Sequence, residues 1–246
     1  MLPTTDLLSL SLKEIVTKDF HAAAVFEKFT LDFCCRGGKT IDEACREKGL
    51  KPASILNELE RIGSKAQDSS TRFGEWEVEF LIDYIVKNHH AYVRRMIPVL
   101  LTHTQKVASV HGSRHPEVVE IAAHIETVAR DLLLHMQKEE LVLFPFIKAL
   151  ARAKKDGQQA TPPPFGSVQN PIRMMELEHQ NAGDEMYAIR KSSNSYVPPD
   201  DACTTYQVTF QELKDFELDL HQHVHLENNI LFPKAVLLES ELLLTN

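Results

Sequence analysis

One motif occurs twice in this 246-residue chain and limits its fold more than any other feature. In both copies a histidine is followed four residues later by a glutamate, and Leu-Phe-Pro follows at the same offset. Residues four apart lie on one face of a helix, so each copy predicts a helix that presents an imidazole and a carboxylate together. The copies are 135–145 and 223–233, and they indicate two equivalent helices of one architecture.

Apolar residues recur with helical spacing along four long segments of the chain. The breaks between these segments contain a glycine, a run of three prolines and a polar stretch that ends in two prolines, and helices do not continue through prolines. No stretch shows the period of two that marks a strand. We therefore predict an all-α fold whose C-terminal part is an up-down four-helix bundle. The predicted segments are 75–111, 115–154, 168–191 and 200–238.

The first 66 residues have a different pattern and predict a separate, small helical domain. Short helical pieces are expected at 10–17 and 21–31. Thr40 and Glu43 form a capping box that begins a third helix, and Pro52 suits the first turn of a fourth. The polar stretch 67–71 is interpreted as the linker between a domain at 1–66 and a bundle at 75–246.

The two repeat copies also predict a metal centre in the bundle core. Together they supply two imidazoles and two carboxylates, and such carboxylates can bridge a pair of metal ions. His90 and His179 lie on the other two helices, and the four histidines follow one another at intervals of 45, 44 and 44 residues. Nitrogen and oxygen donors without a thiolate suit iron or manganese. Spacing alone does not decide between neighbouring histidines. His89 could be the ligand in place of His90, and His221 or His225 could be the ligand in place of His223.

Cys34 and Cys35 are adjacent and are followed by an arginine and two glycines. This pattern predicts thiols in a flexible, approachable turn, and Arg36 is expected to favour thiolate character. The alternative is a structural role, in which the two cysteines are small buried side chains that pack within the turn. Cys45 and Cys203 are predicted to be inert.

Charge and hydropathy exclude several classes of protein. The net charge of −8 offers no basic patch for nucleic-acid phosphates. No apolar run approaches the roughly 18 to 20 residues of a membrane-spanning helix, and no secretory signal is visible. Four cysteines, two of them adjacent, do not form the spaced set of a secreted disulfide scaffold. We expect a cytoplasmic protein with no nucleic-acid or membrane partner.

These residues resemble the repair-of-iron-centres di-iron proteins, the YtfE/ScdA family. Asp32-Phe33-Cys34-Cys35 is similar to the family's ScdA-type N-terminal domain, and Glu178-His179 with His223-Val-His-Leu-Glu227-Asn-Asn is similar to its hemerythrin-like domain. Arg36 is a departure, since the family's pattern has glycine after the cysteine pair. The resemblance implies two bridging glutamates and favours His90 over His89. The implied metal ligands are His90, His135, Glu139, His179, His223 and Glu227.

The resemblance further implies a centre of two non-haem iron ions bridged by carboxylates, with an oxo bridge as an option. Its expected function is the repair of iron–sulfur clusters damaged by nitrosative or oxidative stress, through iron donation, reaction with nitric oxide, or both. Cys34 and Cys35 would be the catalytic thiols, and damaged iron–sulfur proteins would be the clients. A hemerythrin-like carrier or sensor of oxygen or nitric oxide and a nitric oxide reductase are the alternatives. Enzymatic turnover stays open, as does the choice between a monomer and a homodimer.

Overall fold

A computed structural model describes residues 7–63 and 72–243, and all regular structure in these ranges is helical. Within them no β-strand forms, and the β-type pairing is limited to an isolated bridge between Ser11 and Thr40. The all-α prediction is therefore confirmed. No helix in these two ranges is both long and apolar enough to cross a membrane. The linker predicted at 67–71 lies outside the described residues.

The chain divides into two compact units. An N-terminal unit comprises Met1–Glu77 together with Val224–Lys234, and a bundle unit comprises Val78–His223 together with Ala235–Asn246. The domain limits predicted from the sequence, 1–66 and 75–246, stay a prediction.

Local signals in the sequence set the ends of the short helices in the N-terminal unit. The Thr40 hydroxyl accepts a hydrogen bond from the Glu43 backbone N–H, and the Glu43 carboxylate accepts one from the Thr40 N–H, as the predicted capping box requires. Gly49 ends that helix in the left-handed region, at φ 65°. The helices are α1 (Leu12–Lys18), α2 (Ala22–Lys28), α3 (Ile41–Lys48) and α4 (Pro52–Gly63), and a 3₁₀ turn follows at Phe73–Glu75.

Four long helical segments lie close to the limits predicted from apolar spacing. In three of them the α-helix widens to π geometry for about one turn. The first segment is α5 (Val78–Tyr84), π1 (Ile85–His90) and α6 (Ala91–His111); the second is α7 (Glu117–Lys138), π2 (Glu139–Leu143) and α8 (Phe144–Lys155); the third is α9 (Gln169–Ser192); and the fourth is α10 (Thr204–Leu226), π3 (Glu227–Leu231) and α11 (Phe232–Leu243).

Neighbouring segments of the bundle unit run antiparallel. Residue numbers rise along one segment while those of its side-chain partners fall along the next, as an up-down topology requires. This holds for the first segment with the second, the second with the third, and the first with the fourth. The pairs are Glu79 with Arg152 (2.7 Å), Gln105 with Glu126 (3.1 Å), His124 with Glu185 (2.6 Å), His135 with Glu178 (2.9 Å), His89 with Asp219 (3.0 Å) and His103 with Glu212 (2.7 Å).

The interior of the bundle unit is largely apolar. Leu132, Phe144 and Ile147 are among its buried side chains, and each such burial stabilises the fold by about 1.5 to 3 kcal/mol. Histidine and glutamate side chains interrupt this core with at most 1% exposure. Burying such groups is costly unless they are paired or bind a metal. They are His90, His135, Glu139, His179 and His223.

Candidate metal centre

The Glu139 carboxylate lies between two imidazoles. His135 is one helical turn earlier on the second segment, and its Nε2 lies 3.3 Å from Glu139 Oε2. His90, at the end of π1 on the first segment, places its Nε2 3.4 Å from the same oxygen. One carboxylate oxygen therefore faces nitrogen donors from two helices.

The other two predicted histidines of the bundle unit reach the same level. His179 Nε2 lies 2.9 Å from His135 Nε2, and the His223 ring centroid lies 4.8 Å from that of His90. His135, Glu139 and His179 each offer a donor atom within 4.8 Å of the others. His90, Glu139 and His223 do the same. Glu139 is thus common to two groups of possible metal donors.

Glu227 follows His223 by one turn of the fourth segment. It is the first residue of π3, as Glu139 is the first residue of π2, and its side chain is fully buried. The structure therefore gives the two repeat glutamates the same place in their helices.

The prolines of the repeat explain two of the π turns. Pro145 and Pro233 have no N–H, and a proline ring clashes with the carbonyl four residues earlier in an α-helix. In each copy the phenylalanine before the proline donates its N–H to the glutamate carbonyl five residues back, which is Glu139 in π2 and Glu227 in π3. The wide turn relieves the clash, and π turns often mark functional sites.

Two glutamates outside the predicted ligand set orient the histidine rings. Glu140 lies 2.6 Å from His90 Nδ1, and Glu178 lies 2.9 Å from His135 Nδ1. A carboxylate on Nδ1 holds the proton there and leaves Nε2 as the inward donor, which is the usual arrangement for metal-binding histidines. Sequence reasoning noted Glu178 beside His179, but its bond goes to His135 instead. It missed Glu140, which the position directly after Glu139 could have indicated.

Both orienting carboxylates are ionised at neutral pH. The hydrogen bond to His135, helped by that to Lys138 and opposed by partial burial, lowers the pKa of Glu178 to about 2. Partial burial raises the pKa of Glu140, but hydrogen bonds to His90 and Arg94 outweigh it and lower that pKa below the usual value. The two histidine rings therefore face fixed negative charge on their outer sides.

The alternative histidines have other neighbours. His89 Nδ1 lies 3.0 Å from Asp219, and the His89 ring stacks on that of His223 at 5.7 Å. His225 Nδ1 accepts a hydrogen bond of 3.0 Å from the Asn229 side chain, and burial lowers the pKa of His225 to about 4. In the described ranges, no group of converging metal donors includes His89, His221 or His225.

The donor set fits a divalent or trivalent transition metal. Two imidazole nitrogens at 2.9 Å can share only one proton, and a fully buried carboxylate beside them needs a positive charge. A metal ion at this level would supply that charge to all of them. Nitrogen and oxygen donors without a thiolate match iron or manganese. The ligand assignment itself stays a prediction.

The cysteine pair of the N-terminal unit lies in a tight turn. Cys34 is 5% exposed and Cys35 is half-buried. The hydrogen bond with Cys35, burial and the nearby Asp32 carboxylate raise the pKa of the Cys34 thiol well above its usual range. The prediction that Arg36 favours a thiolate is therefore wrong for Cys34. A catalytic role for Cys34 and Cys35 stays a prediction.

Comparison with known proteins relates both parts of the chain to described families. Residues 9–63 match ScdA_N, described as a domain of unknown function, and residues 81–235 match the hemerythrin HHE cation binding domain. A "Probable iron-sulfur cluster repair protein" of Haemophilus influenzae is 33% identical over 92% of this chain and 96% of its own length. The "Iron-sulfur cluster repair protein YtfE" of Enterobacter sp. (strain 638) is 33% identical, and that of Escherichia coli O157:H7 is 32% identical, with the same coverage.

Proposed function

This chain belongs to the hemerythrin HHE cation-binding family and to the YtfE iron–sulfur cluster repair proteins, and from this premise we propose that it repairs iron–sulfur clusters. The observation that carries the proposal is the buried histidine–glutamate cluster. It lies in a chain that is similar to these proteins over 92% of its length. Its cargo in this proposal is iron, delivered to proteins whose clusters have been damaged.

We assign six ligands to two iron ions. Five of them converge in the bundle unit, and Glu227 is added because it repeats the place of Glu139. In this assignment the four imidazoles and the two carboxylates would together hold the two ions. Bound iron would supply Lewis acidity and redox chemistry, while the chain's own groups hold the rings in place through Glu140 and Glu178. Four imidazoles and two carboxylates would leave coordination positions open, as a reactive centre needs.

The ligand assignment is tested by two substitutions in the full chain. Glu139→Ala and Glu227→Ala should each lose most of the iron, measured by metal analysis of the purified protein. The control is Glu126→Ala, because Glu126 is exposed on the same helix as His135 and bonds to Gln105. Unchanged iron content in both ligand variants would show that the metal is held elsewhere.

The function is tested with an apo iron–sulfur client. Iron-loaded protein should restore the client's cluster absorption and activity in the presence of sulfide and a reductant, and the Glu139→Ala variant should not. An equal rate with free ferrous iron and with the loaded protein would contradict iron delivery by this chain.

Gas binding separates repair from the carrier alternative. Reversible uptake of oxygen at a fixed stoichiometry, with iron retained, would favour a hemerythrin-like carrier. Reaction with nitric oxide and the cytoplasmic location stay predictions.

A further inference from the structure

We propose a second metal site in the N-terminal unit, formed by Asp32, Cys34 and Cys35. It takes a soft or borderline divalent cation through two thiolates and one carboxylate. The three side chains each offer a donor atom within 4.8 Å of the others. This ligand set contains sulfur, whereas the bundle cluster consists only of nitrogen and oxygen donors, so the two sites differ in chemistry.

Two of the three distances between these donor atoms match those of a tetrahedral metal site. Cys34 Sγ lies 3.8 Å from Cys35 Sγ and 3.4 Å from Asp32 Oδ1. Two sulfurs at ~2.3 Å from a tetrahedral Zn²⁺ are about 3.8 Å apart, and a sulfur and an oxygen at ~2.0 Å are about 3.5 Å apart. The turn therefore holds its donors close to the spacing that the bound state needs. Binding replaces two S–H bonds by two metal–sulfur bonds and releases two protons to solvent.

The backbone fixes this turn before any metal binds. Asp32 Oδ1 accepts hydrogen bonds from the N–H groups of Cys34 (3.0 Å) and Cys35 (2.9 Å). Gly37 allows the chain to pack on itself, because a Cβ at that position would lie 2.1 Å from the Phe33 carbonyl oxygen. A site that is preorganised in this way loses less conformational entropy when the ligand binds.

A second element of the same unit also holds the turn. The Asn229 side-chain amide, on π3, lies 3.4 Å from the carbonyl oxygens of both Phe33 and Cys34, and 3.0 Å from His225 Nδ1. The Phe33 ring packs on His225 at 5.8 Å between centroids. The cysteines are thus supported from behind by packed side chains.

Exposure indicates what this site does with a metal. Asp32 is exposed and Cys35 is half-buried, so one side of the site is open to solvent. Three protein ligands leave a fourth tetrahedral position, which a thiolate of another protein can enter. Such a site exchanges its metal with a partner instead of enclosing it. That the exchanged cation is ferrous iron rests on the proposed function, whereas the site itself does not.

Cobalt binding tests the site in the reduced full-length chain. Co²⁺ bound to thiolates absorbs in the near ultraviolet through sulfur-to-metal charge transfer, and Co²⁺ in the bundle cluster has no sulfur ligand. Wild-type protein should show this absorption, and Cys34→Ser and Cys35→Ser should lose it. Asp32→Asn should keep it with an affinity weakened about tenfold or more.

Matched controls are available for both kinds of ligand. Cys203→Ser removes an exposed thiol of the bundle unit, and Asp42→Asn removes an exposed carboxylate of α3; neither should change the absorption. Because Cys34 is buried and its serine variant could fold poorly, Zn²⁺ protection of Cys34 and Cys35 from alkylation is measured on wild-type protein. Both should be protected together, and Cys203 should not.

The outcomes separate this site from the proposed function. Absence of the absorption in wild-type protein, its retention in Cys35→Ser, or its loss in Cys203→Ser would overturn the thiol site. Failed cluster assembly with intact cobalt absorption would contradict the proposed function alone. Normal assembly by wild-type protein that lacks the absorption would contradict the thiol site alone.

Discussion

Glu140 shows how a residue outside the predicted ligand set controls the centre. It lies 2.6 Å from His90 Nδ1 and also bonds to Arg94 at 2.7 Å, so it ties a buried ring to a half-exposed cation. The corresponding residue of the second repeat copy is Asn228, which carries no charge. The repeat alone therefore could not identify Glu140, because the two copies differ at that position.

Removal of Glu140 should weaken metal binding without emptying the site. Glu140→Ala deletes the acceptor that holds the His90 tautomer, and losses of this kind typically cost about 10- to 100-fold in metal affinity. Competition with a chelator of known affinity measures the change, and Glu126→Ala is the surface control. An affinity equal to that of the wild type would mean that packing alone orients His90.

The choice between His89 and His90 illustrates what sequence spacing could not decide. Both are buried and both lie in π1, where the spacing of an α-helix no longer assigns faces. Apolar residues share a helix face with His89 about as well as with His90. The long-range contact of His90 with Glu139, at 3.4 Å, favours His90, and the 3.0 Å contact of His89 with Asp219 places His89 elsewhere.

At the scale of helices, apolar periodicity predicted the four long segments well. It worked because each helix buries one stripe of side chains in a shared core. It could not predict the π turns, since one wide turn hardly disturbs an apolar pattern over twenty residues. The signal was present in Leu-Phe-Pro, because a proline after a long helical run requires a local change in hydrogen bonding.

The capping box of α3 gives an element-scale prediction with a defined pH dependence. Hydrogen bonds with the backbone and then the side chain of Thr40 lower the pKa of Glu43. A lowered folded-state pKa means that the stabilisation is complete above the unfolded-state value, about 4.3, and is lost as the pH falls through the folded value. Glu43→Ala should therefore lower Tm at pH 7, and this difference should shrink below about pH 4.

Thermal unfolding followed by circular dichroism at several pH values checks this expectation. Glu47→Ala on the same helix is the control, because Glu47 forms an exposed ion pair with Lys39 and no cap. A difference in Tm between the wild type and Glu43→Ala that is as large well below pH 4 as at pH 7 would contradict the capping explanation.

At the scale of the whole molecule, the metal should contribute to stability. A ligand that binds only the folded state stabilises it by about 2.7 kcal/mol when its free concentration is 100 times Kd. In the proposed centre, removal of iron would take away the positive charge that neutralises the buried donors of the bundle unit. Iron-free protein should therefore unfold at a lower temperature than iron-loaded protein in scanning calorimetry, and Glu139→Ala should show no such difference. Equal transition temperatures for the wild type with and without iron would contradict a metal held in the core.

The domain organisation was the least accessible to sequence reasoning. A composition change separates residues 1–66 from the rest, but the stretch Val224–Lys234 groups with the N-terminal unit although it continues a bundle helix. Only long-range contacts such as that of Asn229 with the Phe33 carbonyl reveal this grouping, and helical spacing carries no information about such contacts.

The internal repeat has a consequence for fragments of this chain. Each half of the bundle is a pair of consecutive helical segments, of which one carries a single predicted histidine ligand and the other carries both a predicted histidine and a predicted glutamate ligand. A pair of segments cut from the chain holds three of the six proposed ligands, so it would need the other three from a second molecule. Two separately expressed halves, mixed with ferrous iron, constitute a complementation assay in which metal uptake reports that the halves have met.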